Sequence, residues 1–153
     1  MHGFYDFGDL RVGMRVNVEG EHDGNGSLRA NRISIRDDGE VDEIEAIIES
    51  ADTDSRTLRL LGLALSLNGG LDIRGMDKQP LGHAALQPGM RIKTKGKLLD
   101  GRRFAPEKIK VKSRTPDEMD EIESAISAVD PHARTITVLG FRIACGEDCE
   151  IEA

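Results

Sequence analysis

The chain has 153 residues, 38% hydrophobic and 32% charged, with a formal net charge of −7 and only 3% aromatic residues. Such a composition fits a soluble globular protein of one medium or two small domains rather than a disordered or membrane one. The net charge of −7 argues against wholesale nucleic-acid binding, and no Trp with one Tyr is poor material for stacking bases or sugars.

The opening, MHGFYDFGDL, carries neither a basic n-region nor an apolar h-region. The expectation is therefore no signal peptide: cytoplasmic for the chain as it stands, or periplasmic or extracellular if a leader has been removed. The longest apolar run is far short of a bilayer span, so no membrane insertion is expected. From Leu10 the segment LRVGMRVNVEGEHDGNGSLRANRISIR begins. Gly13 is a natural turn residue, after which Met14, Val16 and Val18 alternate with Arg15, Asn17 and Glu19 as a half-buried strand. HDGNG, His22 to Gly26, reads as a hairpin turn. On the return strand Leu28 and Ala30 give way to Ile33 and Ile35, a change of parity that predicts a β-bulge near Asn31.

The next segment, DEIEAIIESADTDSRTLRLLG from Asp42, opens on a strand with Ile44, Ala46 and Ile48 inward and Glu43, Glu45 and Glu49 outward. The polar tip ADTDSR reverses the chain. Leu58 and Leu60 sit on even positions, and Leu63, Leu65 and Leu67 on odd ones. The flip at Gly62 marks a tight turn or a sharp bend. Asp77–Ala85 is the best helical candidate, though Pro80 and Gly82 weaken it.

LQPGMRIKTKGKLLDGRRFAPEKIKVK, Leu86 to Lys112, then restates the first segment 76 positions later (89 − 13), with Met90, Ile92 and Thr94 inward and a turn at Leu99 to Gly101. DEIESAISAVDPHARTITVLG, from Asp120, restates the second 78 positions later, with its own flip at Gly140. No segment holds a helical period. The expected fold is all-β, with two small OB-like five-stranded barrels from a tandem repeat. One barrel is continuous over 43–112, with strands at 43–51, 56–61, 63–73, 90–98 and 103–112. The other closes from both termini, 1–37 with 119–153. The competing division is sequential, 1–76 and 77–153.

Thr57 to Gly62, Leu86 to Gly96, Ala30 to Ile33 and Thr135 to Gly140 resemble the bacterial OB-like repeat family called domain of unknown function 5666. The family pattern runs Thr-x-x-x-x-Gly, then Leu-x-x-Gly-x-x-Val-x-Val-x-Gly, then Ala-x-x-Ile. Ala105 to Ile109 departs from it by one residue, and Leu71 and Cys149 stand where a Thr is frequent. The resemblance implies an OB-like fold and, in many members, export. It implies no catalytic chemistry, so no site residue transfers.

Residues 91–114 hold ten Lys or Arg against Asp100 and Glu107, a local +8 that leaves −15 for the rest. Arg91, Lys93, Lys95, Arg103, Lys108, Lys110 and Lys112 are the candidate binding residues, for single-stranded nucleic acid or another polyanion. The plainer expectation is cross-strand neutralisation, with Lys93 and Lys95 facing Glu43 and Glu45. Only Phe104 is at hand for stacking. Cys145 and Cys149 have the parity of Leu67 and Leu71 and are expected to be free, buried thiols; a local disulfide across Gly146 and a metal site are the alternatives.

Asp52 and Asp54 resemble a calcium loop only loosely, and a solvated hairpin tip is expected. His2, His22, His83 and His132 are scattered, without nucleophile–base spacing. No metal and no cofactor are implied, and the chain is not expected to be an enzyme. The function expected is a non-catalytic binding or structural module engaging a protein or cell-envelope component. Polyanion binding through the basic stripe is the alternative.

Overall fold

A computed structural model describes residues 5–23, 26–37, 39, 41–68, 70–99, 102–113 and 119–153. The expected turns at His22 to Gly26 and Leu99 to Gly101 fall partly outside these residues, as do His2 and Arg114. The described chain is all-β, with two short 3₁₀ turns at Phe7–Asp9 and His83–Ala85. The second turn is the only helical structure in the Asp77–Ala85 connection. No described helix is long and apolar enough to cross a membrane.

The first strands are β1 (Arg15–His22) and β2 (Ser27–Arg36). They are followed by β3 (Asp42–Ile47), β4 (Ser50–Asp52), β5 (Thr57–Leu60), β6 (Leu63–Ser66), β7 (Asp72–Arg74), β8 (Arg91–Leu98) and β9 (Arg103–Ser113). The last are β10 (Asp120–Asp130), β11 (Thr135–Val138), β12 (Phe141–Ala144) and β13 (Glu150–Glu152). These elements form two compact units: unit 1 comprises Met1–Asp42 and Met119–Ala153, and unit 2 comprises Glu43–Glu118.

Unit 1 is a closed five-stranded barrel. β10, β11 and β12 form an antiparallel meander; β12 runs parallel to β2; β2 is antiparallel to β1; and β1 returns to β10, with Arg15 opposite Ala125. β13 adds to β2 further along, Ile151 beside Ile33. Alternation puts Val16, Val18, Ile122, Ile126, Ile136 and Ile143 in the core, none of them more than 1% exposed. In unit 2 the ladder runs β3-β8-β9-β6-β5-β4. β3 and β4 are successive pieces of one path through Ile48 and Glu49. The Ile48 N–H bonds the Met90 carbonyl and the Glu49 N–H bonds the Arg59 carbonyl, so the chain leaves one neighbour for another at that point. The expected strand 63–73 is likewise two strands, β6 on one end of β9 and β7 on the other.

The parity changes in the sequence correspond to specific backbone events. Glu19 lies opposite Arg32 and Gly20 opposite Ala30, so Asn31 is the extra, bulged residue. Lys95 opposite Lys108 and Gly96 opposite Pro106 make Glu107 its counterpart in unit 2. At the other flips, Leu61–Gly62 and Leu139–Gly140 are two-residue turns with φ of 53° and 75°, and 53° and 76°, the doubly left-handed form that suits a tight hairpin.

The cysteines depart from expectation. Cys145 is buried as its parity requires, but it is joined to Cys149 in a disulfide with a Cα–Cα distance of 5.2 Å. The Cys149 N–H bonds the Gly146 carbonyl at 3.1 Å, and that turn brings the second sulfur back to the first. Leu67 and Leu71 stand at the matching places of unit 2 without a covalent link, so parity alone could not distinguish a bridge from packing.

His22 ends β1, edge-on to Phe141 at 5.7 Å between ring centres, and its Nε2 is buried with no hydrogen-bond partner. Leu98 ends β8 in the same way. Replacing His22 by Leu removes a desolvated polar atom and is expected to raise the stability of unit 1 by about 1–2 kcal/mol. A denaturant midpoint that falls in that variant would show that the imidazole contributes more than its packing.

Candidate functional site

The candidate residues lie on the outer wall of unit 2, where β8, β9 and β7 run side by side. Thr94 and Ile109 face each other across β8 and β9 and point inward, so their neighbours point out. On that outer face Lys93 lies opposite Lys110 and Lys95 opposite Lys108. β7 places Asp72 beside Lys108 and Arg74 beside Lys110. A shift in register between Arg91 and Ile92 leaves Lys112 as a further bulged residue of β9. Lys93, Lys95, Lys108, Lys110 and Lys112 thus line a groove of about 330 Å³ together with Asp72 and Arg74.

Like charges set directly opposite each other destabilise a ladder, and here two such lysine pairs are adjacent. Neutralisation is incomplete. Lys95 Nζ is 3.3 Å from Glu43 Oε1, as the expected pairing has it, and Arg74 is held by Asp72 at 2.8 Å. Glu45 does not reach Lys93, because it is bound to Arg91. Lys93, Lys108, Lys110 and Lys112 have no carboxylate within ion-pair distance among the described residues. Their ammonium groups are strongly hydrated point charges that impose little geometry on a partner.

Two of the seven candidates do not join the groove. Arg91 is a correction: its side chain is 1% exposed and bonds Glu45 Oε2 through Nε and Nη2, both at 2.8 Å. A guanidinium so enclosed is unavailable to a ligand. Alternation placed it outside, but the start of β8 is where β3 crosses to meet it. Arg103 is exposed at the start of β9, beside Ala64 of β6 and away from the groove. Asp72 and Arg74 were missed, since nothing in the sequence pairs Asp72–Arg74 with β9. Phe104 is 1% exposed and offers no stacking face.

The same wall of unit 1 is a contrast within one molecule. Asn17 and Glu19 of β1 face Ser34 and Arg32 of β2, and Glu150 and Glu152 of β13 lie beside them. Arg32 bridges to both glutamates, at 3.8 and 3.6 Å. All seven lysines of the chain belong to unit 2; unit 1 contains none.

At the ADTDSR tip, Asp52 Oδ1 accepts the N–H groups of Asp54 and Ser55 at 3.0 and 3.2 Å, and Asp130 does the same for His132 and Ala133. Hydrogen bonds from Ser55, backbone first and then hydroxyl, and from the Asp54 backbone hold the Asp52 carboxyl below its ordinary value. The contribution is therefore complete at neutral pH and is lost only as pH falls through that lowered value. No group of three or more His, Cys, Asp or Glu among the described residues is placed to hold a metal ion.

Residues 2–34 match the model of the family described as Domain of unknown function (DUF5666), a stretch that reaches through β1 and most of β2. No curated protein and no solved structure matches the chain significantly.

Proposed function

We propose that the chain is a non-catalytic binding module made of two OB-like barrels from a tandem repeat, and that unit 2 binds polyanions through the lysine groove. The observation that carries this is the set of four lysines without carboxylate partners, on a wall whose equivalent in unit 1 carries Asn17, Ser34 and two paired arginines, Arg32 and Arg36. A barrel of this kind closes without unpaired cations at these places, so stability alone does not account for their presence. With Phe104 buried, the ligand is held by its charges. A single-stranded nucleic acid would be read through its backbone and not through its bases. A cell-envelope component fits the same reading if it is anionic.

The test is binding of heparin and of single-stranded DNA across a salt series. Four lysine contacts predict a log–log salt slope of roughly −3. Changing Lys93, Lys108, Lys110 and Lys112 together to Gln should flatten that slope and weaken binding at least tenfold, while the melting temperature holds or rises as like-charge repulsion disappears. Unchanged affinity in that variant, or a marked loss of stability, would return the stripe to a purely structural role.

A further inference from the structure

The lysine groove adjoins an exposed apolar loop. Arg74 ends β7 and lines the groove. The chain then turns tightly, with the Gly75 N–H on the Gln79 carbonyl at 2.9 Å and the Lys78 N–H on the Gly75 carbonyl at 3.0 Å. It returns with the Leu81 N–H on the Ile73 carbonyl at 2.9 Å. This turn leaves Met76 57% and Leu81 36% exposed. Both wall a second depression, of about 340 Å³, with Gly75, Asp77, Ala85, Met90 and Val111. β9 reaches the two places with opposite faces: Lys110 and Lys112, turned outward, line the groove, and Val111 between them, turned inward, lines the depression. The surface link is therefore the turn itself, running from Arg74 of the groove to Gly75 and Met76 of the depression.

We propose that unit 2 docks on an anionic lipid surface, with the lysines on the head groups and Met76 and Leu81 seated at the head-group boundary. Neither feature suffices alone. Free lysines suit any polyanion, and a solitary exposed apolar side chain is ordinary. Joined through the Arg74–Met76 turn, they meet the two requirements of a peripheral membrane contact, charge attraction and shallow apolar burial. A soluble polyanion satisfies only the first and leaves Met76 in water.

This rests on the lysine groove being an anion site, and the test keeps the two apart. The chain has no Trp, so Met76→Trp in the full-length protein places a single indole reporter at the loop. Vesicles of equal parts phosphatidylcholine and phosphatidylglycerol should shift its emission to the blue. Heparin, and vesicles of phosphatidylcholine alone, should leave it unchanged. Met76→Asp should weaken binding to the mixed vesicles about tenfold and alter heparin affinity less than twofold, which also shows that the variant is folded. The lipid proposal falls, with the polyanion reading intact, if heparin binds and the mixed vesicles do not. It falls equally if the indole stays in water on bound vesicles, or if Met76→Asp binds them unimpaired. If neither heparin nor mixed vesicles bind the parent protein, the polyanion reading fails and the lipid proposal fails with it.

Discussion

Glu45→Ala is expected to cost unit 2 about 3–5 kcal/mol, because it leaves the Arg91 guanidinium enclosed without its carboxylate. Against a total stability of roughly 5–15 kcal/mol for a domain, that comes close to unfolding. The side chains of Arg91 and Glu45 are 1% and 9% exposed, so water cannot take the place of the lost partner. Glu123→Ala in unit 1 breaks the corresponding pair, Arg15 with Glu123 at 2.9 Å. There the two side chains are 9% and 14% exposed, and Glu123 is shared with Arg36 and Asn17. The smaller loss is expected in unit 1. Urea melts of the two single variants decide it, with Glu45→Leu combined with Arg91→Met as the control. The double change exchanges a desolvated ion pair for apolar packing and should recover much of the deficit. A double variant no better than Glu45→Ala would mean that the pair does more than satisfy itself.

Gly96→Ala is the second large effect expected, about 3 kcal/mol or more. A Cβ on Gly96 would lie 2.0 Å from the Ala105 carbonyl oxygen and 2.9 Å from the Pro106 Cα. Both are backbone atoms, so β8 and β9 would have to part at the Glu107 bulge. Gly20 is in the same position, 2.2 Å from the Arg29 oxygen across the Asn31 bulge, and Gly20→Ala should be comparably harmful. Gly82→Ala meets nothing within 4 Å and should change stability by less than about 0.5 kcal/mol. Thermal melts of the three variants give the comparison. If Gly96→Ala melts with the parent protein, the close approach at the bulge is not a constraint.

Alternation and its breaks made much of this fold legible. A side-chain period of two, interrupted once per hairpin, is a direct imprint of a bulge or a turn, and Asn31, Gly62 and Gly140 could be read that way. Gly20 and Gly96 were visible as recurring residues, but the cause, a carbonyl crossing over them, involves a partner strand that periodicity does not see. Arg91 was read as exposed for the same reason. Alternation assigns a residue to a face, while burial depends on what passes over that face. The signal that remained in the sequence was identity: Arg15 and Arg91 match, as do Glu45 and Glu123, whereas Asn17 and Glu19 on the same strand are replaced by Lys93 and Lys95. Of the candidate site, the lysines were legible as a charge run. Their grouping with Asp72 and Arg74 was not, because β7 joins β9 through a parallel pairing with no local sequence signature.

The two units also differ in when they can be completed. Within unit 2, Arg91 meets Ser113 by a local hairpin. Within unit 1, Arg15 must meet Ala125, with all of unit 2 synthesised between them. During translation the β1–β2 hairpin therefore emerges ahead of unit 2 and waits, its outer edges without β10 and β12. Unit 2 can close while the rest of the chain is still being made. Unit 1 closes last, and the loop it must span makes it the slower unit to fold. That hairpin thus stays exposed to other nascent chains for as long as unit 2 takes to be made.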